Sequence, residues 1–353
     1  MSRMRNSNIE LLRILSMLFI TLHHFSLWAQ GPRSDALIAS NQLTNAFYSL
    51  FYLPLGDIGV YAFVMITGFY MGANDYNEEK TFKKALNVYL QLYFYSFLFL
   101  MMAVIKNWSL TEDSRLFKSL LPFIFNHYWF VTAYILLMLF IPYINKAIMN
   151  LTKRRFVYLL IILIGSCSIF PLINNNVASE SVGLGILITA YLIGTFIRRF
   201  VDTSNKINYL IGIGLFLVNL SIIYGKMYFD IIVSKNRYTN IYTGFFALIC
   251  SIGLFLIFVS MKSHYSSIIN QLAKHVFAIY LITENIFVLP KLWSRFYFSD
   301  LNNLVKVNLF GFLSVILIML GCYLIDLVRS EVFVIFSRMF KFSKNKQHEN
   351  INI

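Results

Sequence analysis

Apolar residues in this chain come in long blocks, not in the two-residue rhythm of a strand. Runs of roughly 20 mostly apolar positions, the length a helix needs to cross a bilayer, alternate with short polar stretches. By that criterion ten spans are predicted, at about 9–29, 47–72, 85–105, 122–145, 156–173, 183–200, 207–225, 239–261, 274–292 and 305–328. The pattern therefore predicts an all-α polytopic membrane bundle. Residues 1–330 form one integral membrane domain, and 331–353 a basic cytoplasmic tail, partly interfacial helix and partly disordered. The first run lacks a small-residue cleavage site and is longer than a signal-peptide core, so it is expected to stay in the mature protein.

The polar exceptions within these runs are the informative positions, because an ionisable group inside a membrane is costly and usually has a partner or a task. The first run, IELLRILSMLFITLHHFSLWA, carries Glu10, Arg13, His23 and His24. At about 100° per residue, Arg13 and His24 share one face about three turns apart, while His23 points elsewhere. Imidazole titrates near neutral pH, so His24 is the candidate base or proton carrier. Arg13 is the second costly group on that face, or pairs with Glu10 at i, i+3. The ninth run places Glu284 and Asn285 well inside a membrane segment, with the same question attached.

Other positions have two readings each. Gly56, Gly59, Gly68 and Gly72 permit close helix packing, and Thr67-Gly68-Phe69 could form a kink beside a substrate path. His127, Tyr128 and Trp129 sit where aromatic residues anchor a helix at the interface, and such rings also stack on sugars. Asp326 lies close to Arg329, and local pairing accounts for it.

Charge adds a direction. Only 13% of residues are charged, against about 25% in a soluble protein. The net charge of +14 gathers mainly in alternate loops, so the positive-inside rule, not nucleic acid, explains it. One set of loops holds Lys80, Lys83, Lys84, Lys146, Lys153, Arg154, Arg155, Arg198, Arg199, Lys206, Lys262 and Lys274. That side is expected to be cytoplasmic and to hold both termini. Arg13 then faces the cytoplasmic half and His24 the outer half. Cys167, Cys250 and Cys322 have no metal-ligand or pairing spacing, and no metal is expected.

Taken in order, these segments resemble the membrane-bound acyltransferase family 3, bacterial O-acetyltransferases that modify cell-surface polysaccharides. RNSNIELLRILSMLFITLHH resembles the family's opening helix, where an arginine and a histidine are separated by ten residues, as Arg13 and His24 are. IGVYAFVMITGFYMG is similar to its stretch ending in Ser-Gly-Phe/Tyr, with Thr67 in place of Ser. YWFVTAYILLMLFIPYIN resembles its Trp-Phe helix, and FAIYLITEN its Ile-Tyr-Leu-Ile-His segment, with Thr283 in place of His. The role of that histidine is then lost or moved to Glu284. The family's arginine pair after the second helix is represented only by Lys80, Lys83 and Lys84, point charges and not bidentate forks.

The resemblance implies transfer of an acetyl group from cytoplasmic acetyl-CoA to a hydroxyl of a surface or lipid-linked polysaccharide. His24, Arg13 and Glu284 would carry the chemistry. Arg13, Lys80, Lys83 and Lys84 would hold the donor, and His23, Thr67, Trp129 and Asn285 the acceptor. The setting would be the bacterial cell membrane, and a homo-oligomer is compatible with it. No soluble hydrolase-like domain follows the last span, so transfer would be completed in the membrane or passed to a partner protein. A glycan transporter or polymerase is the alternative, and a membrane scaffold a third; neither would consume acetyl-CoA.

Overall fold

The computed structural model describes residues 6–72, 78–173, 182–236, 243–297 and 304–349. These are helical, with no strand among them. In chain order the helices are α1 (Ser7–His24), α2 (Gly31–Ala39), α3 (Leu43–Ser49), α4 (Leu55–Met71), α5 (Glu78–Ile105), α6 (Arg115–Leu120), α7 (Trp129–Ile148) and α8 (Lys153–Ile164). They continue as α9 (Phe170–Ile173), α10 (Val182–Phe200), α11 (Lys206–Tyr228), α12 (Thr243–Ser260), α13 (Ser267–Ala273), α14 (Val276–Thr283), α15 (Leu289–Trp293) and α16 (Leu304–Glu349). Short polar residues start several of them by accepting an otherwise orphaned backbone N–H: Asn6 for α1, Thr152 for α8, Asn205 for α11 and Ser266 for α13. Single π-helical turns extend α1 (Phe25–Ala29), α8 (Gly165–Ile169) and α11 (Phe229–Val233).

Among the described residues, seven helices are long and apolar enough to cross a membrane, and α4 and α12 are shorter apolar helices. The chain is a multi-pass membrane protein. Two predicted spans are corrected. Residues 47–72 do not form one helix: α3 ends at Ser49, turns lead to Pro54, and α4 starts after it. Proline disfavours helix in the residue before it, so the chain resets there. Residues 274–292 are likewise broken, into α14 and α15, with Glu284 and Asn285 in the gap and Pro290 in the first turn of α15. The fourth span starts at Trp129, later than predicted.

Helix α4 is apolar on nearly every side and buried on nearly every side, as such a helix must be. It packs on α1, α10 and α12. Small residues set these crossings. A Cβ on Gly68 would stand 1.9 Å from the Tyr191 carbonyl oxygen, and one on Gly194 would stand 2.1 Å from that of Met65, so α4 and α10 touch backbone to backbone. Nothing lies within 4 Å of the same position on Gly214. Gly68→Val is therefore expected to cost about 3 kcal/mol, the upper range of overpacking, because the obstacle is main chain. Gly214→Ala is expected to be near neutral. Thermal unfolding in detergent, followed by loss of the monodisperse peak, checks both.

Contacts between loops sort the two ends of the bundle. At one end, Ser7 N–H donates to His264 O (3.0 Å), and Arg199 donates to Gly72 O (2.6 and 3.0 Å) and Ile148 O (3.0 Å). Most of the lysines and arginines that alternate along the sequence gather here, and it is called the basic face below. At the opposite face, Gln30 Nε2 donates to Phe296 O (2.7 Å), Tyr52 O–H donates to Asn308 O (3.1 Å), and Lys291 lies over the Trp108 ring (4.5 Å).

Candidate active site

Helix α1 starts at the basic face and delivers His24 to its last α-helical turn, where the winding changes to π. π-turns inside helices are rare and often mark functional positions. Across from His24 lies the gap between α14 and α15. His24 Nδ1 stands 3.1 Å from Glu284 Oε1, with side chains 9% and 13% exposed. The separation suits a hydrogen bond but the direction is off its line, so both atoms lack an aligned partner. Such misalignment is common before substrate binds. Trp28, one turn beyond His24, follows it at i, i+4 on α1's π-helical extension, with its indole toward the Glu284 carboxyl. The Tyr280 ring lies 5.9 Å from the His24 ring, centre to centre.

The gap is braced from α7's side. His127 Nε2 donates to Glu284 O (3.1 Å), and Tyr128 O–H donates to Leu281 O (3.3 Å). Asn285 Nδ2 donates to the Tyr128 hydroxyl (2.8 Å), while its Oδ1 accepts Phe287 N–H (3.0 Å). Non-helical backbone at membrane depth needs partners of this kind, or a polar cavity. Asn285 is wholly buried and serves the turn.

A second polar group forms one helical half lower. Arg13 Nη1 is 3.3 Å from Glu10 Oε2, the i, i+3 pairing, and its guanidinium lies 6.0 Å from the Phe63 ring centre. Phe63 also meets Tyr134 edge to face, and Tyr134 shares a 2.8 Å hydrogen bond with Thr67. Thr67 thus presents its hydroxyl to α7 on Arg13's side, while the adjacent Gly68 packs on α10.

The remaining sequence candidates lie apart. His23 Nδ1–H is held by Leu53 O at 2.5 Å, with Gly56 packed against its ring, so it anchors the turn before α4. Trp129 is 45% exposed at the first residue of α7 and meets Phe130 edge to face. Lys80, Lys83 and Lys84 are exposed on the first turns of α5 at the basic face, with Lys83 paired to Glu79 (2.5 Å). No contact joins these lysines to Arg13 among the described residues.

Two features were missed by reasoning from sequence. Trp28 follows His24 at i, i+4, a spacing that carried the signal. The other is a buried network centred on Asp326, whose Oδ2 meets His275 Nδ1 (2.7 Å) and whose Oδ1 accepts from Tyr95 O–H (2.6 Å), Arg329 Nε (2.5 Å) and Gln91 Nε2 (3.4 Å). It ties α14, α5 and α16 together. Among the described residues no cluster of His, Cys, Asp or Glu could hold a metal ion.

What this arrangement can do is acid–base work at a buried His–carboxylate pair, approached from the basic face past an arginine. Its residues fall within a family model described as an acyltransferase domain, which matches residues 6–327. No curated protein and no solved structure matches the chain. Spanning both ends of the His24–Glu284 pair and nearly the whole membrane bundle, that match makes the chain a member of acyltransferase family 3.

Proposed function

We propose that this membrane acyltransferase moves an acetyl group from cytoplasmic acetyl-CoA to a hydroxyl of a cell-surface or lipid-linked polysaccharide, with its basic face toward the cytoplasm of a bacterial cell. The observation that carries the reading is the His24–Glu284 pair, formed across a broken membrane helix at 3.1 Å. A carboxylate aligned on Nδ1 would hold the imidazole with Nδ1 protonated, which leaves the Nε2 lone pair for a substrate.

In this reading the acceptor hydroxyl gives its proton to His24 Nε2 as its oxygen attacks the thioester carbon. The C–O bond forms, the C–S bond breaks, and the imidazolium returns the proton to the leaving thiolate. Glu284 stabilises the transient imidazolium. Arg13 lies about 16 Å from His24 by helix rise, too far to touch the same atom but suited to an extended donor. The hydroxyl pair Thr67–Tyr134 flanks that route. Lys80, Lys83 and Lys84 would meet the donor's phosphates as point charges at the basic face, and Trp129 would offer a ring to a sugar at the opposite one. Chemistry at the pair needs no metal.

The test is transfer from radiolabelled acetyl-CoA, sealed inside proteoliposomes, to glycan supplied outside. Wild type is expected to label the glycan with an alkali-labile ester. Glu284→Gln is expected to lower the rate by up to about 10⁴-fold while His24 remains present, as when an orienting carboxylate becomes an amide. Glycan that crosses the membrane unlabelled would sink the reading in favour of transport.

A further inference from the structure

A cavity of about 520 Å³ opens at the basic face between the start of α1, the start of α11 and the end of α12. It is lined by Asn8, Lys206, Tyr209, Ser260, Lys262 and His264, with Leu210 and Met261 at its apolar rim. It lies on the far side of α1 from Arg13: Asn8 and Arg13 are five positions apart, about 140° around the helix.

Four observations bear on what it takes. Lys206 lines it from the first turn of α11 and Lys262 from the loop after α12, and neither they nor His264 join an ion pair among the described residues. The nearby carboxylate of Asp202 is taken by the N–H (3.0 Å) and hydroxyl (2.7 Å) of Ser204. Lys206 opens α11, a helix of 23 residues whose N-terminal dipole favours an anion. Asn8 is fully buried, its Nδ2 committed to Met261 O (3.2 Å) and Lys262 O (3.1 Å), yet its Oδ1 has no donor. The Ser260 hydroxyl is also buried and unpartnered. A buried amide oxygen without a donor is costly and calls for a ligand that brings one. Finally, Leu210 (65% exposed), Tyr209 and Met261 are exposed beside the cavity and make its rim apolar.

Cations, an N-terminal dipole, an orphan acceptor and an apolar rim together describe a phosphodiester that carries its own hydroxyl or amine and is joined to acyl chains. We propose that this cavity is a binding site for the headgroup of an anionic phospholipid in the leaflet at the basic face. The phosphate lies between Lys206 and Lys262, a headgroup hydroxyl donates to Asn8 Oδ1, and the acyl chains run along Tyr209 and Leu210. The site stands apart from the His24–Glu284 pair and does not depend on the reaction catalysed there.

Native mass spectrometry of the full-length protein, titrated in detergent with dioleoyl phosphatidylglycerol or dioleoyl phosphatidylcholine, tests it. Wild type is expected to retain one phosphatidylglycerol in preference to phosphatidylcholine. In Lys206→Gln/Lys262→Gln, which changes only exposed side chains, the affinity for phosphatidylglycerol is expected to fall about thirtyfold, roughly fivefold per lysine, with phosphatidylcholine unchanged. Lys153→Gln/Arg154→Gln, at the same face but away from the cavity, is expected to leave binding as in wild type. Equal loss in both double variants would reduce the effect to diffuse surface charge and overturn the site. Inorganic phosphate or free coenzyme A that displaces phosphatidylglycerol at matched concentration would overturn it too, by making the ligand a soluble phosphate.

Discussion

Replacing His24 with Gln is expected to lower acetyl transfer by a factor of about 10² to 10⁴, the usual contribution of a positioned acid–base group. Gln is close to imidazole in length and can still donate to Glu284 Oε1, so the helix packing around position 24 should survive. What it lacks is a basic nitrogen on the substrate side. The measurement is the single-turnover rate in proteoliposomes at matched protein abundance, with binding of acetyl-CoA followed separately. If His24 is the base, the rate falls and donor binding stays. A His24→Gln protein that turns over at the wild-type rate would remove the imidazole from the chemistry altogether. His23→Gln supplies the contrast. Its Nδ1–H holds Leu53 O at 2.5 Å, so its loss should appear as lower stability with the chemical step nearly intact.

The second large effect is on stability and is expected from Asp326→Leu. Asp326 is wholly buried and gathers Tyr95 and Gln91 from α5, His275 from the start of α14, and Arg329 from its own helix. Removing one partner of a buried ionic group leaves the others desolvated without compensation, at about 3–5 kcal/mol. Arg329 retains some access to water, its side chain being 19% exposed, which places the expectation near the lower figure. The double variant Asp326→Leu/His275→Leu should recover part of the loss, since it removes a stranded polar group as well. Unfolding in detergent, monitored by the accessibility of the buried thiol Cys322, checks the order wild type, double variant, single variant. If both variants unfold at the wild-type midpoint, the network contributes nothing to holding α16 in place.

Much of the fold could be read from residue spacing because a bilayer imposes length. Blocks such as 85–105 and 305–328 had to be helices, and the structure places helices there. Breaks within a block could not be read that way. The stretch 274–292 is apolar enough for a span, but its interruption at Glu284–Asn285 depends on Asn285 finding Tyr128 and on Glu284 O finding His127, more than 150 residues away in sequence. The same limit governs the site. Pairing of Arg13 with Glu10 was legible because i, i+3 neighbours are fixed by the helix itself. That His24 faces Glu284 was not, since periodicity gives each helix a polar face without saying which helix lies opposite. Asp326 illustrates both halves: its contact with Arg329 is local and was expected, whereas His275 and Tyr95 arrive from α14's start and from α5.

The bracing of the α14–α15 gap also has a kinematic consequence. Glu284 is joined through its own carbonyl to His127 and, through Asn285, to Tyr128, the two residues immediately before α7. The carboxylate and the mouth of α7 therefore form a single linkage, hinged on two hydrogen bonds. A tilt at the start of α7 swings Glu284 about His24 in the same stroke.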